Sequence, residues 1–172
     1  MHLFHVALVS FAERRVIKMA IELSEQVKQA FEDKNTIKVL ATVDKSGNPS
    51  SVFKGSLHIT QDGLLEEYEV LESSQTNSNL VYSIWFDKNV SITLLTQDKK
   101  SYQIKAKPVK SITSGKYFEK AYVNLRESGK DIDLGAIWQF EPLEEKENTF
   151  AVRVKEDEEA YPLLKHLDRL VK

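Results

Sequence analysis

Between Thr36 and Leu71 the chain passes through three stretches of alternating apolar and polar residues, joined by connections too short to hold a helix. Parallel neighbours need a crossover of a dozen or more residues, so three such strands laid down in succession must pair antiparallel. In the first, Thr36 to Val43, the residues Ile37, Val39, Ala41 and Val43 share one face. The cluster Asp44-Lys45-Ser46-Gly47-Asn48-Pro49 then turns the chain. The second, Ser51 to Thr60, places Phe53, Gly55, Leu57 and Ile59 on one face and Val52, Lys54, Ser56 and His58 on the other. Asp62-Gly63 leads into the third, Leu64 to Leu71.

The same period continues downstream. A polar run, Ser73 to Asn79, opens a helix whose buried stripe is expected from Leu80, Ile84 and Trp85. Val90, Ile92 and Leu94 mark a fourth strand and Tyr102, Ile104 and Ala106 a fifth, which Pro108 should bend or end. Ser114 is placed to cap a helix carrying Tyr117, Phe118, Ala121, Tyr122 and Leu125 and ending near Gly129. Leu134 to Phe140, with Trp138, makes the sixth strand. A short helix from Ser24 with Val27, Ala30 and Phe31 precedes the strands. A short strand through Phe150, Val152 and Val154 and a helix with Tyr161, Leu164, Leu167 and Leu170 follow them. Six antiparallel strands with inserted helices suit a closed or partly closed barrel, since closure removes exposed edges. A doubly wound parallel sheet fits worse.

At 172 residues this is one domain, expected over 19–172, with residues 1–18 an extension outside it. The 24 basic and 26 acidic residues are interspersed, which speaks against nucleic-acid binding. The absence of cysteine excludes disulfides, thiolate metal sites and cysteine nucleophiles. Leu3 to Ala12 is mildly apolar, but Arg14 and Arg15 follow it, the reverse of a secretory signal. No run approaches the roughly 18 apolar residues of a membrane span, so a cytoplasmic location is expected.

Walker, GxGxxG, GxSxG and HExxH patterns are all missing, and no metal site is expected. Of the histidines, His2 and His5 fall in the extension and His166 in the terminal helix, leaving His58 inside the strands. It reads either as a half-exposed strand residue or as a ligand or acid–base group. The Ser73 to Thr76 helix start reads as a plain cap or as a phosphate site, because a helix N-terminus offers unpaired N–H groups and a positive dipole end. Lys54 and Ser56, on one strand face, are candidates to share such a site.

From Thr36 to Glu145 several blocks occur in an order that resembles the pyridoxamine 5'-phosphate oxidase-like FMN-binding split barrels. They are Val39-Leu40-Ala41-Thr42-Val43 with Gly47-Asn48-Pro49, then Val52-Phe53-Lys54-Gly55-Ser56, then Glu72-Ser73-Ser74-Gln75-Thr76-Asn77-Ser78-Asn79-Leu80. Tyr102-Gln103-Ile104-Lys105-Ala106 and Thr113-Ser114-Gly115 with Phe118 complete the set. The resemblance implies FMN in a groove between two subunits of a homodimer, lined here by Lys54, Gly55, Ser56, Ser73, Ser74, Gln75 and Thr76. It also implies a flavin-dependent oxidoreductase whose substrate the sequence does not name. Other readings of the same barrel are a non-catalytic or stress-related flavin module, or a deazaflavin or haem binder with His58 or His166 as ligand. The neutral Gln75 stands where many relatives carry Lys or Arg, which weakens the grip expected on a phosphate.

Overall fold

The structure is a computed structural model that describes residues 20–128 and 132–162. The extension 1–18, Gly129, His166 and the terminal leucines Leu164, Leu167 and Leu170 lie outside the described residues. Helix α1 spans Glu25–Glu32; the Ser24 hydroxyl accepts from the Val27 N–H at 3.3 Å, and Val27, Ala30 and Phe31 are buried. Strands β1 (Ile37–Val43), β2 (Pro49–Phe53), β3 (His58–Ile59) and β4 (Leu65–Glu69) follow. Then come α2 (Gln75–Trp85), β5 (Val90–Leu95), β6 (Ser101–Ile112), α3 (Gly115–Glu127), β7 (Ala136–Glu147) and α4 (Phe150–Ala160). The turns before β2 and before β4 each use a glycine at positive φ, Gly47 at +83° and Gly63 at +80°, where a Cβ would be strained.

Seven strands form one antiparallel sheet in the order β2-β1-β5-β6-β7-β4-β3. Its two edge strands are consecutive in the chain. Laid flat, six inter-strand steps of roughly 4.8 Å would separate the edges by about 29 Å. The five residues from Phe53 to His58 reach at most about 18 Å. The sheet therefore has to curl until its edges approach, which makes a split barrel with the Lys54–Leu57 connection at its seam.

This seam also corrects the strand count. The expected second strand, Ser51 to Thr60, is two strands, because the Leu57 N–H bonds the Lys54 carbonyl at 3.3 Å and the turn carries the chain from one sheet edge to the other. Lys38 braces the turn from inside, donating to the carbonyls of Phe31 (2.8 Å) and Leu57 (2.9 Å). Burial lowers its pKa.

Inside the barrel, Leu40, Ile92 and Ile104 lie in register across β1, β5 and β6, and Leu65 sits opposite Phe140 across β4 and β7. The face of β1 that carries Ile37, Val39, Ala41 and Val43 is the outer one; Leu40 and Thr42 are the buried pair. On the far side of β4 and β7, Ala121 of α3 packs with Leu134 and Ile137 in a second cluster, joined by Tyr68, Phe118, Tyr122 and Leu125.

Of the two outcomes expected at Pro108, the strand does not end there: β6 runs on to Ile112, with a register shift between Pro108 and Lys110. Two further expectations need correction. Phe150, Val152 and Val154 belong to helix α4, since both edges of β6 are already taken by β5 and β7 and no edge is offered to that segment there. The buried face of α2 is Thr76, Asn79, Leu80 and Ser83, whereas Ile84 and Trp85 are exposed. A polar stripe can be buried because Asn79 donates to the Thr42 hydroxyl at 2.9 Å, and Gln75 donates to Asn79 Oδ1 at 2.7 Å.

Candidate functional site

The expected site residues gather at the barrel seam and at the nearby start of α2. Ser74 is the N-cap of α2: its hydroxyl accepts from the Asn77 N–H at 2.9 Å, while its own N–H bonds the Leu71 carbonyl at 2.9 Å. The backbone N–H groups of Gln75 and Thr76, in the first turn, have no hydrogen-bond partner among the described residues. Asn77 Oδ1 accepts from the Trp138 indole at 2.9 Å and so pins the helix start to β7. Ser73 is exposed, Thr76 is buried, and the Gln75 amide is committed to Asn79.

Lys54 is placed differently from what a free phosphate ligand requires. Its Nζ lies 2.7 Å from Glu69 Oε2 and 3.2 Å from Glu67 Oε1, with 11% of the side chain exposed. Glu69 Oε1 accepts from the Leu71 N–H at 3.1 Å, so a continuous chain of contacts runs from Lys54 through Glu69 and Leu71 to the Ser74 cap. Ser56 ties the turn to β4 by exchanging two bonds with the Tyr68 backbone, donating to the carbonyl at 3.3 Å and accepting from the N–H at 3.1 Å. Gly55 is exposed, with open space around its Cα.

The carboxylates of β4 went unnoticed in the sequence. Glu66, Glu67 and Glu69 are 0%, 0% and 2% exposed. Alternation sends Glu67 and Glu69 to the core side with Leu65, opposite Trp138 and Ala136 on β7. Lys54 reaches Glu67 as an ion pair, and neither Glu67 oxygen has a hydrogen-bond partner of good geometry. Burial pushes the Glu67 carboxyl up to about 7; the Lys54 ammonium and, more weakly, the Ser56 hydroxyl oppose the rise and Glu69 adds to it. A signal was available: acids alternate in phase with Leu65 on a strand whose neighbours read as core.

Glu66 points to the other side. Both its oxygens accept from the Tyr117 hydroxyl at 2.9 Å, and Gln139 Nε2 donates to it at 2.8 Å. Burial, with the Glu66 hydrogen bond adding to it, pushes Tyr117 up to about 12. His58 Nδ1 lies 2.8 Å from the Ser56 carbonyl and Nε2 lies 3.5 Å from Glu66, so both ring nitrogens face protein acceptors.

Two grooves lie away from the seam. One, of about 740 Å³, is lined by Ile21, Phe31, His58 and Leu64 among others; the second, of about 330 Å³, lies over the outer face of β1, β5 and β6 beside Ala41, Ser91 and Lys105. Neither is lined by Lys54 or by residues 73–76. Among the described residues, no three metal-binding side chains converge on a point, and no helix is long and apolar enough to cross a membrane.

The curled antiparallel sheet is a split barrel, the fold shared with solved structures described as pyridoxamine 5'-phosphate oxidase candidates and FMN-binding proteins. The HupZ protein of Group A Streptococcus superposes with a TM-score of 0.59 at 18% identity, covering 74% of this chain and 95% of that one. A candidate pyridoxamine 5'-phosphate oxidase from Lactobacillus delbrueckii gives 0.58 at 17% identity, over 73% and 93% of the two chains. An FMN-binding protein from Syntrophomonas wolfei gives 0.58 at 16%, over 73% and 86%. No family model and no curated protein matches the sequence.

FMN can be tested against this geometry. The first turn of α2 presents the unshared Gln75 and Thr76 N–H groups with the Ser73 hydroxyl nearby, the donor set a phosphate monoester takes. In charge, Lys54 is outnumbered by Glu67 and Glu69 when both are ionised. The donors fit the cofactor; the charge fits once one of those carboxylates carries a proton.

Proposed function

We propose that this protein binds FMN at the barrel seam, with the phosphate on the α2 N-terminus, in a groove completed by a second copy of the chain, and that it is an oxidoreductase. The observation that carries this reading is the meeting, on a split-barrel fold, of a helix start with unshared N–H groups and a lysine three contacts away along the Glu69–Leu71–Ser74 chain. Bound flavin supplies hydride or single-electron chemistry, while the protein supplies orientation and electrostatics. Within one chain, Ser73 and the Gln75 and Thr76 amides would hold the phosphate, and Lys54, Gly55 and Ser56 would form the wall beside it. Exposed Phe53 and Trp85, 75% and 79% accessible, supply apolar surface of the kind that a homodimer covers. The protein is proposed to work in the cytoplasm on a small-molecule redox substrate.

Flavin fluorescence quenching, with FMN and riboflavin titrated in parallel, tests the cofactor assignment. FMN is expected to bind more tightly than riboflavin, and Gln75→Lys to tighten FMN by about tenfold while leaving riboflavin unchanged, as one added charge-assisted contact would. Failure of both flavins to bind overturns the reading. Equal affinities that Gln75→Lys leaves equal would remove the phosphate from α2.

A further inference from the structure

Three charged groups share the seam: Lys54 lies between Glu67 and Glu69, and the three side chains are at most 11% exposed. The Leu71 N–H supports Glu69 and the Ser56 hydroxyl lies beside Glu67, while the other neighbours contribute little compensation. β7 presents Ala136 and Trp138, and the Trp138 indole is spent on Asn77. Helix α2 has no charged residue, and its Tyr82 packs against Phe86. Glu66 and Tyr68 leave β4 on the opposite face, where Tyr117 and Gln139 take up Glu66. With both carboxylates ionised the triad carries one excess negative charge, and Glu67, with no hydrogen bond to either oxygen, is the member least supported as an anion.

We propose that Glu67 makes anion binding at this seam proton-linked: a phosphate-bearing ligand and a proton bind together, the proton going to the Glu67 carboxyl. Glu67 is one neighbour removed from the α2 start, paired across the sheet with Trp138, whose indole bonds Asn77, so protonation removes the excess negative charge of the seam next to that start and leaves Lys54 paired with Glu69 alone. Linkage makes the effect reciprocal, since an anion at the α2 start raises the proton affinity of Glu67 by the same factor by which the proton raises anion affinity. Burial has already placed Glu67 near neutrality, where a small further push changes its charge. The inference rests on the FMN reading above and adds to it a fall of affinity with rising pH, opposite in sign to what phosphate donors that favour the dianion would create.

Isothermal titration calorimetry of FMN and riboflavin at pH 7.5, repeated in HEPES and in Tris, separates the two ideas because the buffers differ in ionisation enthalpy. Wild-type protein is expected to take up a proton on binding FMN, roughly half a proton or more per site, and much less on binding riboflavin. Glu67→Gln, which mimics the protonated acid, should abolish the uptake and bind FMN about tenfold more tightly than wild type at pH 8, the lower part of the usual coupling range. FMN binding without proton uptake, or with the same uptake in Glu67→Gln, overturns the proton linkage and leaves the cofactor reading intact. Absence of FMN binding in both proteins removes the cofactor reading, and the linkage with it. Should Glu67→Gln fail to fold, riboflavin 5'-sulfate, an anion that does not titrate near neutrality, replaces FMN on wild type: proton uptake that persists supports the linkage, and uptake that disappears overturns it.

Discussion

Glu66 and Glu67 are adjacent on β4 and equally shut off from water, yet strand alternation turns them to opposite sides of the sheet, and the two sides treat a carboxylate in opposite ways. Toward α3, Glu66 meets Tyr117 and Gln139, which together donate to both of its oxygens. Toward the core, Glu67 meets a lysine shared with Glu69 and no hydrogen-bond donor of good geometry. A buried ion that is fully hydrogen-bonded acts as a fixed part of the scaffold, whereas one that is only partly compensated can change its charge near neutral pH. The difference separates a residue that holds α3 onto the barrel from one that can respond to a ligand.

The most forceful way to break this comparison is to take away the shared cation. Lys54→Met keeps much of the apolar stem but leaves two buried carboxylates without a counter-charge, and breaking a buried pair in this way typically costs about 3 to 5 kcal/mol. Urea unfolding at pH 8 should show a loss of that order, and at pH 5 a clearly smaller one, because Glu67 can then be neutral without help. An equal loss at both pH values would mean that Lys54 stabilises the seam by packing, not by charge.

The pH profile of the intact protein sharpens the same contrast. Glu67 rises from an ordinary 4.5 to about 7 on folding, so between those values the folded state holds a proton that the unfolded chain has released. This contribution is fully present below pH 4.5 and is lost as pH rises through 7, a change of roughly 3 kcal/mol. Glu67→Gln should flatten that slope and, above pH 7, match or exceed wild-type stability. Glu66→Gln should leave the slope in place and lower stability by about 1 to 2 kcal/mol, because Tyr117 and Gln139 would then face a neutral amide. Denaturant midpoints for the three proteins from pH 5 to pH 8 decide it, and a slope that survives Glu67→Gln defeats the assignment.

The fold was more legible than the site, and for a physical reason. Alternation and turn chemistry are local, so Thr36–Val43, the Asp62-Gly63 turn, the Ser24 cap and the polar helix start within Ser73 to Asn79 could be located from neighbouring residues alone. The break of the second strand could not, because it follows from closing the sheet on itself, a constraint carried by the whole strand order. The same holds for α2, where Asn79 can be buried because β1 offers Thr42 as a polar partner. Lys54 was singled out from its strand and its motif, but its charge state depends on Glu67 and Glu69, which the strand pattern places on the core face and a residue-by-residue reading passes over as solvated acids.

The smallest expected effect lies at the other end of the Lys54–Glu69–Leu71 chain. Ser74→Ala removes the side-chain acceptor of the Asn77 N–H, and loss of an N-cap oxygen usually costs about 1 kcal/mol. The backbone bond from Ser74 to Leu71 and the Trp138 contact to Asn77 survive the change, so the helix start should fray without detaching from β7. In urea unfolding the cost should be the same at pH 5 and pH 8, since no ionisable group gains or loses a partner. That independence separates a cap from a member of the charged triad. A Ser74→Ala cost that grows toward pH 8 would show that the cap and Glu67 are coupled through Glu69, and that the helix start and the seam respond as one unit rather than as neighbours.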